Sequence, residues 1–267
     1  MEDIGEKHIV SFSGGKDSTA MLLLMIEKGM KIDEIIFCDT GMEFPEMYEH
    51  IKKVEDHTKR KITILKSEET FEYYMFEHEI KHRDKKNDGV LGYGFPRMTN
   101  RWCTIKLKQQ LFERYIKEKY KGLTVVRYIG IAFDELNRVK EYEYPLVSWG
   151  VTEKQALKYC YDKGFDWNGL YEKFDRLSCW CCPLQRLSEL EILYIEYPDL
   201  WNKLKVWQSK TYNLFRPDYT LDELELRFGV LNDFKKVLNE YDLNCTNKIK
   251  KAIVNDLKKE MFKVVTD

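Results

Sequence analysis

His8-Ile9-Val10-Ser11-Phe12-Ser13-Gly14-Gly15-Lys16-Asp17-Ser18 is the stretch whose reading decides the fold. A short apolar run ends in small residues. From Ser18 to Lys28 an apolar-periodic segment follows, closed by Gly29, which reads as a helix with a glycine stop. A strand that runs through a small-residue turn into a helix makes an anion site by geometry alone. The first helical N–H groups are unpaired, and the helix dipole adds about half a positive charge there. Gly14 and Gly15 permit close backbone approach. Ser13 and Ser18 offer hydroxyls, Lys16 a cation, and Asp17 is expected to cap the helix or orient the loop.

Outward from this junction the rhythm repeats. Ile35–Cys38 reads as a second buried strand ending at Asp39-Thr40-Gly41, and a helix is expected from Pro45 to about His57, with proline in the first turn. Residues 61–65 and 123–131 give a third and a fourth strand. Strands alternating with helices predict an α/β fold, a doubly wound and mainly parallel sheet. Residues 78–100 break the rhythm: they are polar, punctuated by Gly89, Gly92, Gly94 and Pro96, and read as a long, mobile surface loop. From Val151 the pattern turns helical, over 152–161, 187–197 and 200–212, with two more stretches beyond Leu221. The expected organisation is an α/β nucleotide-binding domain over 1–150 and a helical C-terminal region over 151–267.

The chain has 267 residues and a formal net charge of -1, so no global field draws it to nucleic acid or an anionic membrane. No run approaches the ~20 apolar residues of a membrane span. The polar start does not look like a secretory signal, and a cytoplasmic location is expected. Seven cysteines include Cys179, Cys181 and Cys182. In a reducing compartment that crowding argues for metal or redox chemistry over disulfides. Cys179-x-x-Cys182 suits the bite of one metal or cluster, with Cys103 as a third ligand and Cys181 as a candidate fourth. Cys38, Cys160 and Cys245 read as small buried residues.

The loop does not have Walker A spacing. Ser13-Gly14-Gly15-Lys16-Asp17-Ser18 after a strand instead resembles the signature of the PP-loop ATP pyrophosphatases, a superfamily that includes tRNA-thiolating enzymes and the phosphoadenosine phosphosulfate (PAPS) reductases. Further segments resemble the PAPS reductase branch, in that family's order: Cys38-Asp39-Thr40-Gly41, Arg101-Trp102-Cys103 through Lys106 and Lys108, Gly130 through Asp134 to Arg138, and Leu170-Tyr171, Arg176 and Cys179–Pro183. The resemblance implies an adenine nucleotide, ATP or PAPS/APS, contacted by Ser11, Ser13, Gly14, Gly15, Lys16, Asp17, Ser18, Asp39, Thr40, Gly41, Arg101, Lys106, Lys108, Gly130, Asp134 and Arg138. Lys16, Asp17 and Arg138 are the catalytic candidates. The arginines suit bidentate phosphate or sulfate contact.

In iron–sulfur members of that family, a cysteine pair near position 103 and a later Cys-x-x-Cys hold a [4Fe-4S] cluster. Here position 102 is Trp. One ligand of the family's set is therefore missing: a cluster on Cys103, Cys179 and Cys182 takes Cys181 as its fourth ligand or has an open iron, and zinc on the same thiols or no metal are the alternatives. The family's reductases carry a Glu-Cys-Gly-Leu/Ile-His-type segment, which the surroundings of Cys245 do not match. The expected activity is adenylylation of a substrate, with Mg²⁺ bridging the pyrophosphate, followed by sulfur transfer. Thiol-dependent PAPS/APS reduction and a non-catalytic nucleotide sensor are the alternatives. The sulfur acceptor is unassigned, nucleic acid among the candidates, and the helical tail could support a homodimer.

Overall fold

Four strands form where the alternation expects them: β1 (Glu6–Phe12), β2 (Glu34–Asp39), β3 (Ile62–Lys66) and β4 (Thr124–Ile129). They pair in parallel in the order β3-β2-β1-β4. The computed structural model describes residues 5–82, 85–177, 179–240 and 247–261. Helix α1 (Lys16–Glu27) crosses from β1 to β2, and α2 (Pro45–Thr58) from β2 to β3. Strand β4 joins the other edge of β1, so the winding reverses between β1 and β4. The crevice beyond the carboxyl ends at such a reversal is where open α/β sheets bind ligands.

Helix α1 begins at Lys16, two residues before the expected start. Its N-cap is Gly15, which has no side-chain cap, and Asp17 lies in the first turn instead of capping. Between β3 and β4 lie α3 (Phe71–Phe76), α4 (Trp102–Thr104), a π-helical turn (Ile105–Gln109) and α5 (Gln110–Lys119). Alternate strand residues face opposite sides of a sheet. Ile9, Ile36 and Leu65 share one side and form a cluster with Leu111 and Phe112 of α5.

The expectation of a mobile loop over 78–100 needs correction. Within its described residues, Gly92 N donates to His78 O, Tyr93 N to Tyr74 O and Gly94 N to Met75 O. Phe95 is buried, and buried Trp102 donates its indole N–H to Gly94 O at 3.1 Å. Residues 92–95 are therefore laced to α3 by backbone bonds and aromatic burial. Gly92 is required there: its φ is +75°, and a Cβ would lie 2.1 Å from Met75 O.

After β4 come a 3₁₀ turn (Phe133–Arg138), α6 (Pro145–Ser148), α7 (Glu153–Asp162), a second 3₁₀ turn (Trp167–Gly169) and α8 (Leu170–Lys173). The chain divides into compact units at Cys182/Pro183, not near residue 150. The reason is packing: α7 lies against α1, and the Trp167 indole donates to Gly14 O at 2.7 Å. The cysteine segment thus belongs to the first unit. The second unit comprises α9 (Leu187–Glu196), α10 (Pro198–Lys210), α11 (Leu221–Glu240) and α12 (Asn247–Met261). Leu190, Leu193, Trp201, Leu204, Leu224 and Phe228 fill its core, and buried Glu191 takes Lys235 and Lys258. Among the described residues no helix is long and apolar enough to cross a membrane. Cys245 lies outside the described residues.

Candidate functional site

The loop between β1 and α1 is tied by its own hydroxyls. Ser18 Oγ accepts from Ser13 N at 3.2 Å, lies 3.0 Å from Ser13 Oγ and donates to Gly15 O at 3.0 Å. Gly14 has φ +78°, and a Cβ there would meet Met47 Sδ at 2.3 Å. Gly130, just past β4, lets that strand end press on the loop. A Cβ on it would sit 2.7 Å from both the N and Cα of Ser18.

A second layer lies behind the loop. Thr19 Oγ1 is 3.0 Å from Nε2 of buried His50, and His50 stacks on Trp167 with ring centroids 4.3 Å apart. Tyr171 meets Trp167 edge-on, and its hydroxyl accepts from Lys16 N at 2.7 Å. Burial drives the His50 pKa down to about 3, so the ring is neutral at ordinary pH.

Two clefts open at the carboxyl ends of β1 and β4. The smaller, about 100 Å³, is bounded by Ser13, Gly15, Lys16, Asp17, Gly130 and Arg138, together with Tyr171, Arg176 and Leu177. The larger, about 220 Å³, shares Ser13, Gly130 and Arg138 with the first. Ser11, Ser18, Lys108 and Arg127 also line it, along with apolar Phe12, Phe37, Phe112 and Ile131. A small polar compartment therefore adjoins a larger, mostly apolar one.

The charges here are arranged against one another. Lys16 Nζ lies 2.9 Å from Asp17 and 2.6 Å from Glu153, and Arg138 pairs with Glu135 at 2.5 Å. Burial works against the Lys16 ammonium, but Asp17 and Glu153 outweigh it and hold its pKa above the ordinary lysine value. Burial pushes the Asp17 carboxyl above its usual range, with Lys16 pulling the other way. Carboxylate oxygens of Asp17, Glu135 and Glu153 all lie within 4.8 Å of one another, and Asp17 Oδ1 is buried without a hydrogen-bond partner. Such a set of hard oxygen donors fits a divalent cation such as Mg²⁺.

Other candidates occupy different positions. Ser11 Oγ accepts from Arg127 Nε at 2.7 Å, and the Arg127 guanidinium lies 3.8 Å over the Phe112 ring. Asp39 Oδ1 accepts from Gly41 N and Tyr48 OH, both at 2.8 Å, and Thr40 bonds buried Glu43. The side chains of the Asp39-Thr40-Gly41 turn are thus taken up by its own backbone and by Tyr48 and Glu43, and these residues line neither cleft. Asp134 Oδ1 accepts from Glu153 N at 2.9 Å and so holds the start of α7. Arg101 and Lys106 border neither cleft. Lys108 borders the larger one and pairs with Glu43 at 3.5 Å. Tyr171, Glu153, Glu135, Trp167 and His50 escaped the sequence reading as working parts of this site.

The four cysteines come from two places, Cys103 in α4 and the turn at 179–182, where Cys182 N donates to Cys179 O. That turn is anchored by Trp180 N donating to Met42 O at 3.0 Å. Burial, with Glu43 beside it, pushes the Cys179 thiol up to about 12 against the pull of Lys108. Cys103 acts electrostatically on both Cys179 and Cys181, so the thiols share one neighbourhood. Among the described residues no three cysteine sulfurs lie within 4.8 Å of one another.

Comparison with known proteins adds the following. The family model of the phosphoadenosine phosphosulfate reductase domain matches residues 7–185. An uncharacterised protein of Methanocaldococcus jannaschii is 30% identical over 223 residues, covering 78% of this chain and 42% of that protein. A second from the same organism is 28% identical over 254 residues, with coverages of 90% and 56%. A nin-region protein of Escherichia phage lambda is 30% identical over 146 residues, half of each chain. The chain spans about half the length of these curated relatives. A solved phosphoadenylyl-sulfate (PAPS) reductase from Candida auris, in a phosphate complex, has 20% identity and a TM-score of 0.42, covering 64% of this chain and 81% of that one.

Proposed function

Because the chain belongs to the phosphoadenosine phosphosulfate reductase domain family, we propose that it is a PP-loop enzyme of sulfur chemistry that uses ATP to activate a substrate oxygen. The observation that carries ATP is the carboxylate trio Asp17, Glu135 and Glu153 beside the phosphate loop. These three residues would hold Mg²⁺. Bound there, the ion supplies neutralisation of the charge that builds on a departing pyrophosphate.

The chain's own groups do the rest. The amides at the start of α1 and the Ser13 hydroxyl receive the phosphate oxygens, and Lys16 turns from Glu153 toward them. Arg138, which borders both clefts, stabilises the α-phosphate. A substrate oxygen forms its bond to the α-phosphorus as the α–β bridging bond breaks and pyrophosphate leaves. A sulfur nucleophile then displaces AMP. Cys103, Cys179, Cys181 and Cys182 would hold a [4Fe-4S] cluster, which supplies sulfur or electron chemistry when bound; the family resemblance and the shared thiol neighbourhood support this assignment.

One feature favours a second reading, PAPS as the nucleotide. Arg127 borders the nucleoside cleft, where its Nε donates to Ser11 Oγ, and among the described residues no carboxylate lies within ion-pair distance of it. A guanidinium whose carboxylate neighbour, Glu113, acts on it only electrostatically can take an additional anionic group on the ligand. The decisive experiment is a product assay on the purified full chain. Pyrophosphate release from ATP and Mg²⁺ in the presence of candidate acceptors is expected. Sulfite release from PAPS with a thiol donor, and none of pyrophosphate from ATP, would replace the first reading with the second.

A further inference from the structure

Trp167, Asn168 and Gly169 have φ values of 50°, 51° and 80°, three successive residues in the left-handed region. Two of them carry side chains, each at a cost of about 1–2 kcal/mol. Such a turn persists only where its surroundings over-determine it. Here they do. Trp167 is clasped between His50 and Gly14 O, and Asn168 Nδ2 donates to Glu49 Oε2 at 2.6 Å.

The turn delivers Tyr171, at the start of α8, to the phosphate loop. Its hydroxyl oxygen accepts from Lys16 N at 2.7 Å, a first-turn amide of α1 and one of the donors an anion would otherwise take. A phenol that accepts from an amide keeps its own proton for another acceptor. Among the described residues none is bonded to it. Burial drives the phenol's pKa upward, so the proton stays in place at any working pH. The same residue borders the compartment of about 100 Å³, with Lys16, Arg138 and Arg176 around it.

We propose that Tyr171 is a ligand-contacting residue: it accepts from Lys16 N and donates its hydroxyl proton to a phosphate oxygen of the bound nucleotide, so that the phenol stands in for the Lys16 amide in the donor set of α1. The proposal rests on the reading of residues 13–18 as a phosphate site.

The test is calorimetric titration of inorganic pyrophosphate into the full chain, its Tyr171→Phe variant and its Lys16→Ala variant. Loss of one hydrogen bond to a charged group predicts binding weaker by roughly ten- to a hundredfold in Tyr171→Phe. Unchanged or tighter binding in Tyr171→Phe, with Lys16→Ala impaired, overturns this inference and leaves the loop reading intact. Failure of the unaltered chain to bind pyrophosphate, ATP or PAPS overturns both. A second measurement leaves the fold undisturbed: 3-fluorotyrosine placed at 171 should show a ¹⁹F shift that saturates with pyrophosphate. An unmoved resonance at saturation refutes the contact.

Discussion

The Ser18 hydroxyl holds three points of the phosphate loop at once: Ser13 N, Ser13 Oγ and Gly15 O. Ser18→Ala leaves those groups to solvent or to one another. It should cost about 1 kcal/mol of stability and weaken nucleotide binding about tenfold, read by thermal melting and titration. His50 makes a different prediction. Its folded pKa of about 3 lies below the unfolded value, so the unfolded chain takes up the proton first as pH falls. Stability is fully present above about pH 6.5 and declines below it, by about 2 kcal/mol at pH 5. Melting against pH should show this slope in the unaltered chain and a flatter one in His50→Gln. At this scale Gly14, Gly15 and Lys16 were legible because a phosphate loop is local in sequence. Glu153 was not, since it reaches the loop from more than a hundred residues away and carries no local mark; Tyr171 stood in a family-like segment, but its place on the loop, equally distant in sequence, was not legible.

Elements were legible where their periodicity is strong. The four strands and α1 and α2 follow directly from apolar runs and from glycine and proline punctuation. The segment before α4 was misread because its anchors, Phe95 and Trp102, occur singly and without period amid polar residues. Composition there reports the solvent side and conceals the few buried rings. The boundary near 150 failed for a related reason: a change from alternating to helical pattern does not reveal that α7 packs back on α1. The close approach of β4 to the loop gives the prediction proper to this scale. Gly130→Ala sets a Cβ against Ser18 backbone atoms at 2.7 Å, so strand or loop must shift. A cost of about 1–3 kcal/mol is expected from such overpacking, with nucleotide affinity falling alongside. A variant with unchanged melting and affinity would show that the contact is slack.

For the molecule as a whole, a net charge of -1 conceals a local arrangement. Lys16, Lys108, Arg127, Arg138 and Arg176 border the paired clefts, and carboxylates pair with Lys16, Lys108 and Arg138. Ligand phosphates are expected to take over those pairings, which makes binding dependent on salt. The cysteines supply an independent readout. Protein purified without oxygen should be brown, with broad visible absorbance lost in Cys179→Ser; a colourless, metal-free preparation would remove the cluster from the scheme. The central claim, that residues 13–18 grip the phosphates of an adenine nucleotide, is tested most directly by titrating ATP with Mg²⁺, and PAPS, into the unaltered chain and Lys16→Ala side by side. Saturable binding by the unaltered chain, weakened about a hundredfold or more in Lys16→Ala, is the predicted result. Equal affinities of the two proteins for both nucleotides would contradict it.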